Sequence, residues 1–148
     1  MRTIARLGKV MAISLCLLRA VAGAQESTGD WIKRILDPKA LDVVPYPESQ
    51  LNKKITIDTI RYEDPSKRIA VYMTPLEKLK DASEYFEKTL QMPAVKGSDP
   101  KGFDVYRFVL DGEGKYSPKA KGLSIMVMRS PWVDGKAQIV MVYVAPKP

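Results

Sequence analysis

Residues 74–90, TPLEKLKDASEYFEKTL, carry the clearest secondary-structure signal in the chain. Thr74 is a good helix N-cap, Pro75 follows where its missing N–H costs nothing, and Glu77 completes a capping box. Residues at spacings of three and four then form one mainly apolar stripe along a helix: Leu76, Leu79, Ser83, Phe86 and Leu90. Met92-Pro93 ends the pattern, because proline disfavours helical geometry in the residue before it. We therefore predict one amphipathic helix that buries this stripe against a sheet.

Runs of β-branched and alternating apolar residues predict five strands, over residues 55–62, 68–73, 103–110, 123–128 and 139–144. Asp134-Gly135, between the last two, is a strong hairpin signal. A short N-terminal helix over residues 31–36 precedes the strands, with Asp30 as its cap. This order predicts an α+β two-layer sandwich, in which a mainly antiparallel five-stranded sheet is packed by one main helix.

The first 24 residues have the organisation of a signal peptide. Arg2, Arg6 and Lys9 give it a positively charged start, and Ala22-Gly23-Ala24 supplies the small residues before a cleavage site. Between them, residues 10–18 form an apolar run of nine. A transmembrane anchor is disfavoured, because crossing a bilayer takes roughly 20 apolar residues. We expect a bacterial protein exported to the periplasm or beyond, with residues 25–148 as a single domain.

Removing the signal peptide changes the charge and the available chemistry. The chain carries 24 basic and 17 acidic residues, a net charge of +7. The signal peptide holds four of the basic residues, so the remainder has a net charge of +3, which gives no support to nucleic-acid binding. The chain has no histidine, and its single cysteine, Cys16, leaves with the signal. These absences exclude Ser-His and Cys-His catalysis and zinc sites built on Cys or His ligands, and we expect no cofactor.

The predicted sheet has more apolar surface than one helix can cover. We place the surplus on the face away from the main helix, where it consists of Tyr106, Phe108, Leu110, Met126, Met128 and three of the residues 139–144. A patch of this kind marks an interface or a groove, and methionine adapts to either. One alternative is that the N-terminal helix covers this face through Trp31, Ile35 and Leu36. The other is that the face binds a second copy of the chain or an apolar ligand.

The loop over residues 111–121 is a second candidate site. Lys115, Lys119 and Lys121 surround Tyr116 there, in a segment rich in glycine. Such a cluster can engage phosphate, anionic lipid or an acidic glycan of the cell envelope. The alternative is a solvated hairpin loop with no ligand.

Trp132 and the carboxylates complete the candidates. Trp132 in the last hairpin can stack on a sugar or a partner, or it can close one end of the core. A hydrolase acting on cell-wall or glycan material needs two facing carboxylates. The sequence brings no two of them into one pocket, although Asp104, Asp111, Glu77, Glu84 and Glu87 are available.

The segment Pro45-Tyr46-Pro47-Glu48-Ser49 is followed by a predicted strand and then by the main helix with its Ser83-Glu84-Tyr85-Phe86 stretch. This combination resembles a group of exported bacterial proteins of unknown function, which carry a YPG-like entry segment and an aromatic-bearing helix. Glutamate stands here in place of the usual glycine, and Tyr-Phe in place of Phe-Tyr. The resemblance covers about half of the exported chain and implies export, but no activity and no catalytic residues.

These observations favour a small exported module that binds or associates through an apolar sheet face and does not catalyse a reaction. A carboxylate-dependent hydrolase is the second hypothesis.

Overall fold

A computed structural model describes residues 27–146 of the chain. The predicted signal peptide, with Cys16, lies outside the described residues. No helix within residues 27–146 is long and apolar enough to cross a membrane. Residues 27–31 belong to a unit separate from the rest of the described chain, and within it the Ser27 and Asp30 side chains cap the first turn of a helix reciprocally. The remainder of the fold begins at Ile32.

Three helices and six strands make up the described chain. The helices are α1 (Thr28–Lys33), α2 (Lys53–Arg61) and α3 (Leu79–Leu90). The strands are β1 (Gln50–Leu51), β2 (Lys67–Pro75), β3 (Val95–Ser98), β4 (Asp104–Val109), β5 (Leu123–Arg129) and β6 (Lys136–Val144). Single 3-10 turns cover Pro38–Leu41, Leu76–Lys78 and Pro118–Ala120.

The strands form one sheet in the order β1-β2-β6-β5-β4-β3, and every neighbouring pair is antiparallel. The predicted α+β class and antiparallel sheet are therefore confirmed, with four of the five predicted strands in place. Two short strands, β1 and β3, were not predicted, because two and four residues are too few to show alternation.

The predicted strand over residues 55–62 is wrong, because this segment forms α2. The Asn52 side chain accepts the N–H of Ile55 and caps the helix, and Lys54 pairs with Asp58 one turn later. Thr56 and Ile60, four residues apart, are fully buried. Burial of this face outweighs the strand preference of the β-branched residues, which is worth less than about 1 kcal/mol each.

The main helix ends as predicted but begins later. β2 continues through Pro75, a 3-10 turn follows, and α3 starts at Leu79 without a side-chain cap. The predicted capping box is therefore wrong. The Thr74 hydroxyl donates instead to the carbonyl of Glu48 across the fold, at 2.9 Å.

The main core lies between α3 and one face of the sheet. Phe86 is fully buried, and its ring centroid lies 6.0 Å from that of Phe108 in β4. The same core holds the buried side chains of the central strands that point to α3, which are Ala70, Leu123, Ile125, Val127, Ile139 and Met141. Burial of these side chains stabilises the fold by roughly 1.5–3 kcal/mol for each large one.

The outer edge of β2 is closed by three different partners. Ile69 exchanges backbone hydrogen bonds with Arg34 and Leu36, and β1 pairs with the end of the strand. Between them, Val71 accepts from the N–H of Asn52 and donates to the Thr56 hydroxyl, at 3.0 Å. No polar backbone group of Val71 is left for pairing with another chain.

Candidate functional site

The face of the sheet that points away from α3 is the main candidate site. Strand register assigns side chains to this face, because directly paired residues point to the same side. Met126 pairs with Val140, and Ser124 pairs with Val142. We call the surface formed by Ser124, Met126, Met128, Val140 and Val142 the open face; all five residues are partly exposed.

The structure corrects three residues that the sequence placed on this face. Tyr106 pairs with Val127, and Phe108 pairs with Ile125, so both side chains point to α3. Phe108 is fully buried in the main core, and Leu110 is 1% exposed there. The prediction assigned the two sides of β4 the wrong way round, because both sides carry apolar residues and the sequence contains no reference for the direction of α3.

The predicted cover of the open face by the N-terminal helix is also wrong for Ile35 and Leu36. Ile35 is not in a helix but forms a parallel bridge with Ile69, and Leu36 packs in the main core. It is α2 that lies against β2. Ile69 and Val71, whose side chains point away from α3, are 0% and 1% exposed there. Beyond this strand, the five side chains of the open face remain partly exposed, although Gln138 of β6 and Val105 of β4 on the same side are buried.

One buried polar atom lies on the same side of the sheet. Gln138 pairs with Met73 and Met128, so its side chain points away from α3. It is 5% exposed, and its Oε1 has no hydrogen-bond partner within the described chain. An unpaired buried oxygen costs about 1–3 kcal/mol of stability. Sequence reasoning missed this residue, although a glutamine inside an apolar strand is itself a signal.

The loop over residues 111–121 is more ordered than its composition suggests. The hydroxyl of Tyr116 accepts the Gly112 N–H at 2.6 Å and donates to Asp111 at 3.3 Å. The N–H of Glu113 also donates to Asp111, and this bond, with that of Tyr116, lowers the pKa of the Asp111 carboxyl. Tyr116 therefore stabilises the loop by bonding back to its first two residues.

The lysines of this loop lie among carboxylates. Lys119 is 3.9 Å from Asp42, which also accepts a hydrogen bond from Ser117 at 2.8 Å. The stem of Lys121 runs beside Gly112, and its charge lowers the pKa of Asp111 further. Lys115 is exposed. The structure thus disperses the three lysines, and anion binding by this loop stays a prediction.

A groove of about 620 Å³ lies between α2 and the turn that joins β5 to β6. Ile55 and Thr59 of α2 line one side of it, together with Tyr62 directly after the helix. Trp132 and Val133 of the turn line the other side. Both aromatic side chains are largely exposed, Tyr62 at 82% and Trp132 at 71%. Trp132 therefore does not close the core, as one of the two predictions had it. The groove escaped sequence reasoning because residues 55–62 read as a strand, which separates side chains that the helix places on one side.

Among the described residues, no three acidic, cysteine or histidine side chains come together as a metal-binding group. Asp104, in β4, pairs with Lys96 at 3.5 Å, and Glu48 pairs with Lys78 at 3.3 Å. The hydrolase hypothesis gains no support from these ion pairs and stays a prediction.

The two segments that carry the resemblance contact each other. The rings of Tyr46 and Tyr85 meet edge-to-face at 5.5 Å, and the Tyr85 hydroxyl donates to the carbonyl of Val44. Burial raises the pKa of both tyrosines, and Glu48, which accepts from the Tyr46 hydroxyl, raises that of Tyr46 further. The entry segment therefore packs against α3 and helps to hold it in place. Comparison with family models, with characterised proteins and with solved structures finds no match for this chain.

Proposed function

We propose that this protein is a small exported association module, which pairs with a second copy of itself through the open face. The observation that carries the proposal is an accessible run of apolar side chains on the two central strands, Met126, Met128, Val140 and Val142. The export part of the proposal rests on the sequence of residues 1–24 alone.

Two features favour a second copy over a small ligand. Ligand sites are concave, whereas this surface is one side of a sheet, and the groove of about 620 Å³ is lined by other residues. The five residues of the open face are uncharged, and exposed Arg107 of β4, which pairs with Met126, borders them. Since an uncharged apolar patch is complementary to itself, it suits a twofold interface in which the same surface serves both partners.

Two sheets that stack in this way lie about 10 Å apart, with their side chains interdigitated. Valine presents a rigid surface, while the unbranched methionines fill the gaps between the two layers. The expected complex is therefore a symmetric dimer that hides both methionines.

Sedimentation velocity of the purified protein, from micromolar to near-millimolar concentration, tests this proposal. We expect the mass to rise from one chain to two, and Met126→Lys to weaken dimerisation at least about tenfold by placing an unpaired charge in the interface. Thr89→Lys makes the same charge change at an exposed position of α3. It is the matched control and leaves the dimer intact. A protein that stays monomeric throughout, and that binds no dye for exposed apolar surface, contradicts the proposal.

A further inference from the structure

We propose that the groove between α2 and the β5–β6 turn binds a neutral saccharide chain, by stacking sugar rings on Tyr62 and Trp132. This site shares none of the residues that define the open face. Three features of the groove favour such a ligand: the fixed backbone that carries both rings, the balance of charges and the hydrogen-bonding character of the polar groups.

The backbone that carries each aromatic ring is held in place by the fold. The Ser130 hydroxyl, in a residue only 8% exposed, accepts the N–H groups of Trp132 and Val133 at 3.2 and 3.1 Å. This fixes the turn that presents the tryptophan. Tyr62 follows the last turn of α2, which is anchored by buried Thr56 and Ile60. With the backbone fixed, only the two χ angles of each aromatic side chain have to be ordered when a ligand stacks on it, so the entropy cost is small.

The charges at the groove are already paired within the protein. Lys54 lies 3.1 Å from Asp58, and Glu63 lies 2.8 Å from Lys67. A charged ligand therefore finds no uncompensated partner here. The ligand that this balance favours is neutral.

The polar lining offers donors from Asn52 and Lys54 and acceptors from Asp58, Thr59 and Glu63, so it suits a ligand whose groups both donate and accept hydrogen bonds. The carboxylates of Asp58 and Glu63 only accept hydrogen bonds, and Thr59 has used its proton on the carbonyl of Ile55. A saccharide offers a hydroxyl donor at nearly every ring carbon, and its C–H faces suit the negative faces of aromatic rings. A proline-rich peptide, which also docks on aromatic grooves, lacks N–H donors at its prolines. The volume of about 620 Å³ is within the roughly 300–1,000 Å³ range of ligand sites, so a short oligosaccharide fits.

Tryptophan fluorescence tests the site directly. The chain has two tryptophans, so Trp31→Phe leaves Trp132 as the sole reporter. We expect a saturable change on titration with at least one of the neutral trisaccharides cellotriose, chitotriose and maltotriose. Calorimetry on the unaltered protein should give the same affinity.

Two variants assign the binding to the groove. Trp132→Ala and Tyr62→Ala should each weaken binding about tenfold, whereas Trp132→Phe should retain most of it, because a ring still stacks. Phe103→Ala removes a half-exposed ring that stacks on Arg129 and does not line the groove, and it is the matched control. Both groove side chains are largely exposed, so the fold should tolerate their loss; equal thermal midpoints check this.

Three results would overturn the proposal. They are the absence of saturable binding to all three sugars, binding that survives both alanine substitutions, and saturation by a proline-rich peptide in place of the sugars. Because Met126 is not part of the groove, sugar binding by the Met126→Lys variant separates this outcome from that of the dimerisation test.

Discussion

The two faces of the sheet are built from the same strands but differ in how far their side chains are buried. On the α3 side, Phe108, Ile125 and Met141 are at most 1% exposed. On the other side, Met126 and Val140, one residue along the same strands, remain partly exposed. Alternation along a strand supplies two apolar faces, but only a packed element turns one of them into a core.

The covered face is also more specific in its contacts. Aromatic rings continue from Tyr46 through Tyr85 and Phe86 to Phe108, with centroid separations of 5.1 to 6.0 Å. The open face has only methionine, valine and serine on β5 and β6, which fit many surfaces equally well. Directional ring contacts therefore specify the fold on one face, and adaptable side chains serve association on the other.

The largest expected effect is on the covered face. Phe86→Ala removes a fully buried ring and should lower the free energy of unfolding by about 3–5 kcal/mol, through lost burial and a residual cavity. Met126→Ala, the matched truncation on the open face, should cost less than about 1 kcal/mol in the monomer. Urea denaturation monitored by circular dichroism measures both. Equal losses would mean that the two faces are equally buried.

The edge of β2 should show the next largest effect. Thr56→Val keeps the shape of the side chain but leaves the buried N–H of Val71 unpaired, so we expect a loss of about 1–3 kcal/mol. Thr89→Val, on the exposed side of α3, is the control for the change in helix propensity. If both variants unfold at the same urea concentration, the hydroxyl does not close this edge.

Gln138→Met should act in the opposite direction. It removes the unpaired Oε1 and keeps an unbranched side chain of similar length, so we expect stabilisation by about 1 kcal/mol. Gln50→Met, at an exposed position of β1, is the control. A lower thermal midpoint for Gln138→Met would show that the oxygen has a partner in solution.

The smallest effect on stability is expected at the centre of the open face. Met126→Lys should change the free energy of unfolding of the monomer by no more than about 0.5 kcal/mol, because the long side chain reaches water. Dilute samples, in which the dimer is dissociated, are needed for this measurement. A loss of several kcal/mol would place Met126 in a core and remove the contrast between the faces.

Local signals in the sequence were reliable where packing agreed with them. The α3 stripe and four strands follow from periodicity, since burial of one face is what creates that periodicity. The prediction failed for residues 55–62, where Asn52 and the Lys54–Asp58 pair are helix signals that the β-branched residues outweighed. The groove was not predicted for the same reason, because Tyr62 and Trp132 line one groove only when this segment is a helix.

The sequence by itself determined the class of the fold, the position of its main helix and the chemistry that it lacks, because composition and periodicity are properties of the chain alone. Only the tertiary structure decided which side of β4 faces α3, which segment closes β2 and which aromatic rings share a groove. Those outcomes depend on the docking of elements far apart along the chain. An apolar strand looks the same to either neighbour, so the competition between alternative packings selects its buried face.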